Sequence, residues 1–144
     1  MRVLVQRSKD SKVMVNNEIV GKIESGLVLL VGFTLDDNEK NIDYLVKKVV
    51  NLRIFEDDNN IMNKSILDVG GEILSVSQFT LYADSKKGNR PSYGKALDSA
   101  SASRLYDLFN DKLRAYVPVS TGKFGADMLV SISNDGPVTI LLEG

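Results

Sequence analysis

Apolar and polar positions alternate along residues 2–8, the period of a half-buried β-strand. Val13-Met14-Val15 and Glu18-Ile19-Val20-Gly21 flank Asn16-Asn17, which predicts a hairpin with a type I′-like turn. Gly26-Leu27-Val28-Leu29-Leu30-Val31-Gly32-Phe33 is an unbroken apolar run bounded by glycines, the pattern of a strand buried on both faces. Asp36-Asp37-Asn38 offers N-caps for a helix to about Leu52, with Ile42, Leu45, Val46, Val49, Val50 and Arg53 at helical spacing. Gly70-Gly71 precedes a strand predicted from Glu72 to Leu81. A second helix is predicted from Asp98 or Ser99 to Tyr116, with Leu105, Leu108, Phe109 and Leu113 on one face. The runs Met128–Ser133 and Val138–Leu142 read as two closing strands. Without a linker, repeat or low-complexity tract, the pattern predicts one α/β domain over residues 1–144. Its sheets are mixed or antiparallel and its two helices pack on one side, while the strand order stays open.

The closing strands are separated by Asn134-Asp135-Gly136-Pro137. Proline gives a ladder no N–H donor, so Pro137 is out of place inside a central strand. Turn chemistry offers a hairpin opened by Asn134-Asp135-Gly136. The alternative is an unusual backbone at the Gly-Pro step, a cis peptide included.

Composition narrows the chemistry. The chain has neither histidine nor cysteine, so it builds no Ser-His-Asp or Cys-His site and no histidine or thiolate zinc site. Asp36-Asp37 and Glu56-Asp57-Asp58 are acidic clusters without EF-hand spacing, read here as solvated loop charge. No metal or cofactor is expected. No apolar run approaches a membrane span and the first residues alternate like a strand, so the expectation is a cytoplasmic protein with no membrane partner. A net charge of −1 advertises no global attraction to nucleic acid, and no DNA partner is expected. The charge is unevenly spread, however. Lys86, Lys87, Arg90 and Lys95 crowd the segment Asp84 to Lys95, with Tyr82 and Tyr93 at its ends, which is either a solvated loop or a phosphate-facing one.

Ser77-Gln78-Phe79-Thr80 sets polar side chains beside an aromatic one at the end of a buried strand. The same chain carries Gly136-Pro137-Val138-Thr139, Met62-Asn63-Lys64-Ser65 and Gly122-Lys123-Phe124-Gly125-Ala126-Asp127-Met128. Together with Asn51-Leu52-Arg53-Ile54-Phe55 and Asn89-Arg90-Pro91-Ser92, these motifs resemble the D-aminoacyl-tRNA deacylase family over essentially the whole length. Tyr93 stands where many relatives have Phe. The resemblance implies a homodimer that hydrolyses the ester joining a D-amino acid to the 3′-terminal adenosine of tRNA, and that also acts on glycine mischarged on tRNA-Ala. It implies a cis Gly136-Pro137 bond inserted into the partner's active site as a chirality gate. Ser77, Gln78, Phe79 and Thr80 would line the catalytic pocket, and Arg7 would brace the gate.

Thr80 is the nucleophile candidate by residue type, but no base accompanies it. Backbone N–H groups near Phe79-Thr80 acting as an oxyanion hole, with help from the ribose 2′-hydroxyl, are the favoured mechanism. Phe79 either stacks on the terminal adenine or, as burial of phenylalanine favours, sits in the core. The basic segment would hold tRNA phosphates. The competing readings are a non-catalytic module that binds the CCA end of RNA, and a purely structural dimer whose Gly-Pro step is only a tight turn.

Overall fold

Two long strands, β1 (Arg2–Val15) and β2 (Glu18–Gly32), form an antiparallel hairpin in the computed structural model, which describes residues 1–144. Asn16 and Asn17 both take positive φ, 49° and 64°, as a type I′ connection requires. The short strands expected at 2–8 and 13–15 are one strand, bent at Asp10, whose φ is 43°. Both hairpin strands change face along their length. Val5 and Leu29 pack with the helices, whereas Val13 and Ile23 belong to a second cluster with Val28, Leu74 and Val76. In β2 the change falls near Gly26 (φ 150°), where a Cβ would lie 1.9 Å from the Glu72 carbonyl oxygen. Only glycine permits that approach.

The chain continues through α1 (Glu39–Asn51), β3 (Phe55–Glu56), β4 (Met62–Lys64), α2 (Ile66–Val69) and β5 (Glu72–Ser77). A 3-10 turn (Phe79–Tyr82), α3 (Ser99–Arg114), β6 (Val119–Thr121) and β7 (Leu129–Glu143) complete it. The main sheet runs β6-β5-β2-β1-β7, with β5 parallel to β2 and β6 and β1 antiparallel to both its neighbours. This is the mixed α/β architecture expected. Leu27, Val28 and Leu29 are fully buried at its centre, because β2 is covered on both faces.

α1 and α3 pack on one face over Val3, Val5, Leu27, Leu29, Val31 and Ile73. Asn38 caps α1, accepting from the Lys40 N–H at 3.0 Å, while the Asn41 side chain accepts from the Asn38 N–H at 2.8 Å. The helix ends at Asn51, so Arg53 leaves the apolar stripe assigned to it and donates instead to the Asn63 carbonyl at 2.9 Å. A third helix, the single turn α2, was not anticipated. Its Ser65 and Asp68 close a capping box over four residues, too short for any periodic signal.

The acidic clusters serve local structure. Asp37 receives the buried Met1 ammonium at 2.5 Å and the Thr34 N–H at 2.6 Å. Asp57 accepts from the N–H groups of Asn59 and Ile61, and these bonds hold its carboxyl below the usual carboxylate range. No helix is long and apolar enough to cross a membrane.

Candidate active site

β5 stops at Ser77, four residues before the expected end. Its neighbour β2 ends at Gly32, so the backbone beyond Gln78 has no ladder partner and closes on itself. Gln78 N–H still donates to Val31 at 2.7 Å, then Leu81 N–H turns back to Gln78 and Ala83 N–H to Thr80. This 3-10 turn leaves the N–H groups of Phe79 and Thr80 without a protein acceptor. Both are free to meet a developing negative charge.

Ser77, Gln78 and Phe79 line a pocket of about 550 Å³, closed opposite by Phe33, Phe124 and Met128. Thr80 stands beside it and is not part of the wall. The Thr80 hydroxyl accepts a hydrogen bond from the Gln78 side-chain NH2, which is a donor and not a base. Phe79 is 56% exposed, which overturns the core reading: the turn aims its ring outward at the pocket mouth. Asp127 is the one ionisable lining residue, and sequence reasoning had cited its segment without giving it a role.

Gly136 and Pro137 lie elsewhere. The hairpin turn expected at Asn134-Asp135-Gly136 does not form, and β7 runs unbroken from Leu129 to Glu143. The chain absorbs the Gly-Pro step as a bulge: Gln6 pairs with Thr139 and Ser8 with Asn134, so Arg7 alone faces residues 135–138. The Gly136-Pro137 peptide is cis, and both residues are exposed. Asn134 spans the bulge, its side chain accepting from Val138 N–H at 3.2 Å and donating to the Thr139 hydroxyl at 2.8 Å. Arg7 fastens it from the sheet side. Its Nε donates to the Asp135 carbonyl at 3.1 Å and its Nη1 to the Ile54 carbonyl at 2.8 Å.

The two motifs do not meet within one chain. Ser77 pairs with Val31, Val31 with Val3, and Val3 with Leu142, so the pocket and the bulge are three strands apart. Arg7, opposite the bulge, is a further four residues from Val3. At ordinary strand spacings that is roughly 14 Å across the sheet and 13 Å along it. An open depression of about 840 Å³ adjoins the bulge; Lys9 pairs there with Asp135 at 3.5 Å and Arg7 with Glu56 at 3.9 Å, while Glu24 and Glu72 are in no ion pair, so its lining carries an excess of carboxylates.

The basic segment is an ordered arm. Asp84 and Ser92 exchange both backbone hydrogen bonds, at 2.8 and 2.9 Å, and the Thr34 hydroxyl donates to the Lys95 carbonyl at 2.6 Å. Lys86, Lys87 and Arg90 are exposed and form no ion pair, while Lys95 reaches Asp84 at 4.0 Å. Tyr93 packs edge-to-face on Phe79, with ring centroids 4.9 Å apart. The arm therefore joins the pocket mouth. Behind it, burial pushes the Tyr82 phenol up to about 12, with Asp37 adding to the effect and Arg2, over its ring at 4.7 Å, opposing it.

A pocket edged by free backbone N–H groups, with an amide, a hydroxyl and Asp127 as its one carboxylate, and with no base on the Thr80 hydroxyl, suits a hydrolase whose ester is already activated. The family described as D-Tyr-tRNA(Tyr) deacylase matches residues 4–143. The chain belongs to that family, and its activity is hydrolysis of D-aminoacyl-tRNA. It superposes on a solved structure described as "c-Myc DNA Unwinding Element Binding Protein" with TM-score 0.95 and 42% identity, covering 100% of this chain and 99% of that one. A second, described as "Structural Analysis of a probable eukaryotic D-amino acid tRNA deacylase", has TM-score 0.85 and 19% identity over 99% of this chain and 98% of that one. At that identity the second match speaks for the fold alone.

Proposed function

We propose that this chain is a chiral proofreading enzyme of translation. It acts as a cytoplasmic homodimer on the 3′-terminal adenosine ester of D-aminoacyl-tRNA, and also on glycine mischarged on tRNA-Ala. Gly136 and Pro137 of one protomer enter the pocket of its partner. There, backbone carbonyls accept hydrogen bonds from the substrate α-ammonium and set its Cα against a rigid wall. A D side chain then points outward, an L side chain meets the wall, and glycine has nothing to reject. Selection by exclusion tolerates many D side chains.

The observation that carries this reading is the separation just described. Within one chain the Gly-Pro bulge is exposed on an edge strand, three strands from the pocket that it would have to complete. An edge with unpaired backbone groups is suited to meet a second copy. For the chemistry, the free N–H groups of Phe79 and Thr80 receive the oxyanion as water adds to the ester carbonyl. One such donor is worth about 3–4 kcal/mol. The leaving ribose oxygen takes its proton with help from the neighbouring 2′-hydroxyl. Thr80 orients water or substrate; its hydroxyl partners only an amide, so no base activates it as a nucleophile.

The test is deacylation of matched D- and L-tyrosyl-tRNA, with glycyl-tRNA alongside, by the purified chain in EDTA. The expected result is multiple turnover of the D and glycyl esters with the L ester spared. Thr80→Val should retain activity, and a trapped acyl-Thr80 would restore the nucleophile. The lack of a base on Thr80 also favours a second reading, a non-catalytic module holding a CCA end; RNA binding with no turnover of any ester would select it.

A further inference from the structure

Phe79 and Tyr93 are a pair of aromatic side chains that the fold of a single chain leaves uncovered, 56% and 40% exposed. Neither serves a hydrophobic core. Their rings meet at 65°, so the contact uses at most one face of one ring and leaves a π-surface open beside the pocket mouth. The arm that carries Tyr93 also carries Lys86, Lys87 and Arg90, none of them in an ion pair. Its base is pinned by the Asp84–Ser92 pair and by Leu97 N–H donating to Phe33 at 3.0 Å. An exposed aromatic surface flanked by unpaired cations is what a single-stranded nucleic acid requires: bases stack on the rings while phosphates meet the charges.

We infer that Phe79, Tyr93 and the cations of the arm form a platform for the unpaired nucleotides that directly precede the terminal adenosine. This rests on the deacylase reading of the pocket and extends it: the pocket takes the aminoacylated nucleoside, and the platform takes the strand leading into it. Tyr93 is thus a positioning residue that never touches the ester. Stacking and phosphate contacts carry no sequence code, which suits an enzyme serving many tRNAs.

The experiment compares a D-tyrosyl-tRNA with D-tyrosyl-adenosine, which has the ester and the terminal nucleoside but no preceding strand. Loss of one stacked base corresponds to about five- to 150-fold in affinity. Tyr93→Ala should therefore raise KM for the tRNA ester by about that factor more than for the nucleoside ester, with kcat on the tRNA ester little changed. Tyr93→Phe should restore it. Replacing Lys86, Lys87 and Arg90 together by alanine should flatten the dependence of log affinity on log salt by about 2, at about 0.7 per phosphate on single strands. Equal losses on both esters would overturn the platform, since Tyr93 would then only prop Phe79 against the pocket. No loss on the tRNA ester would overturn it too. Should the wild-type chain hydrolyse neither ester, the deacylase reading fails instead. Binding of a CCA-ended oligoribonucleotide then decides the platform: weakened by Tyr93→Ala it stands, unaffected it falls.

Discussion

Arg7→Met tests whether one side chain holds the Gly-Pro bulge. The Arg7 side chain is 10% exposed and its guanidinium donates to two main-chain carbonyls, Ile54 at 2.8 Å and Asp135 at 3.1 Å. Hydrogen bonds from a charged donor contribute about 1.5–3 kcal/mol each, so the pair is worth roughly 3–6 kcal/mol. Its contacts to Asp135 (3.6 Å) and Glu56 (3.9 Å) are longer, and both partners are substantially exposed, so they add little. Methionine packs well in a similar volume and removes the cost of burying a charge, which offsets part of the loss. The expected net destabilisation is about 2–4 kcal/mol. For a chain of this length that is a fall in Tm of roughly 6–12 °C, measured by circular dichroism at fixed protein concentration. Urea titration should give the same difference with an unchanged slope. The variant should also lose part of its D-over-L discrimination in kcat/KM, because residues 135–138 lose the one β1 residue that faces them in the ladder and holds their main chain. Arg7→Lys should rescue little, since one ammonium cannot span both carbonyls. If Arg7→Met unfolded within about 2 °C of the wild type with its D-to-L ratio intact, the bulge would be held by something other than Arg7.

Gly136 has φ 129°, and a Cβ there would lie 2.8 Å from Val138 Cγ2 and 3.1 Å from Arg7 Nη2. Gly136→Ala should therefore cost about 1–3 kcal/mol by urea titration, and a neutral result would mean the bulge relaxes freely. Acid should weaken the fold through its carboxylate caps. Backbone donors hold Asp57, Asp68 and Asp98 below their ordinary 3.8, so the unfolded chain binds more protons there. Their contribution is complete above about pH 4 and fades as pH falls through the lower folded values; a urea midpoint that stays flat below pH 4 would contradict this. Tyr82 acts at the other end, being raised to about 12, so stability should decline as pH climbs from 10 toward 12 and the unfolded phenol ionises first. Spectrophotometric titration of the tyrosines should show two groups ionising late, Tyr82 and Tyr106, whose phenol burial also pushes up.

Most of the secondary structure was legible because burial imposes a period that local chemistry confirms. The α1 stripe of Ile42, Leu45, Val46, Val49 and Val50 is buried as its spacing required, and the Asn16-Asn17 turn takes the geometry its residues favour. The Leu27–Leu29 run is covered on both faces as its unbroken hydrophobicity required. The motifs Ser77–Thr80 and Gly136–Pro137 also stood out in the sequence, as did the absence of histidine and cysteine.

What the tertiary structure alone decided lies where a neighbouring strand overrules the local signal. Asn134-Asp135-Gly136 has the chemistry of a hairpin turn, yet β1 continues alongside and Arg7 anchors the extra residues, so the chain bulges and goes on. Residues 78–81 have the pattern of a strand, but β2 ends at Gly32 and leaves them nothing to pair with, so they coil into the turn that frees two N–H groups and exposes Phe79. The meeting of Phe79 with Tyr93, and the distance between pocket and Gly-Pro bulge, depend on strand order. Strand order is a sum of contacts between residues far apart in sequence, and no local period records it.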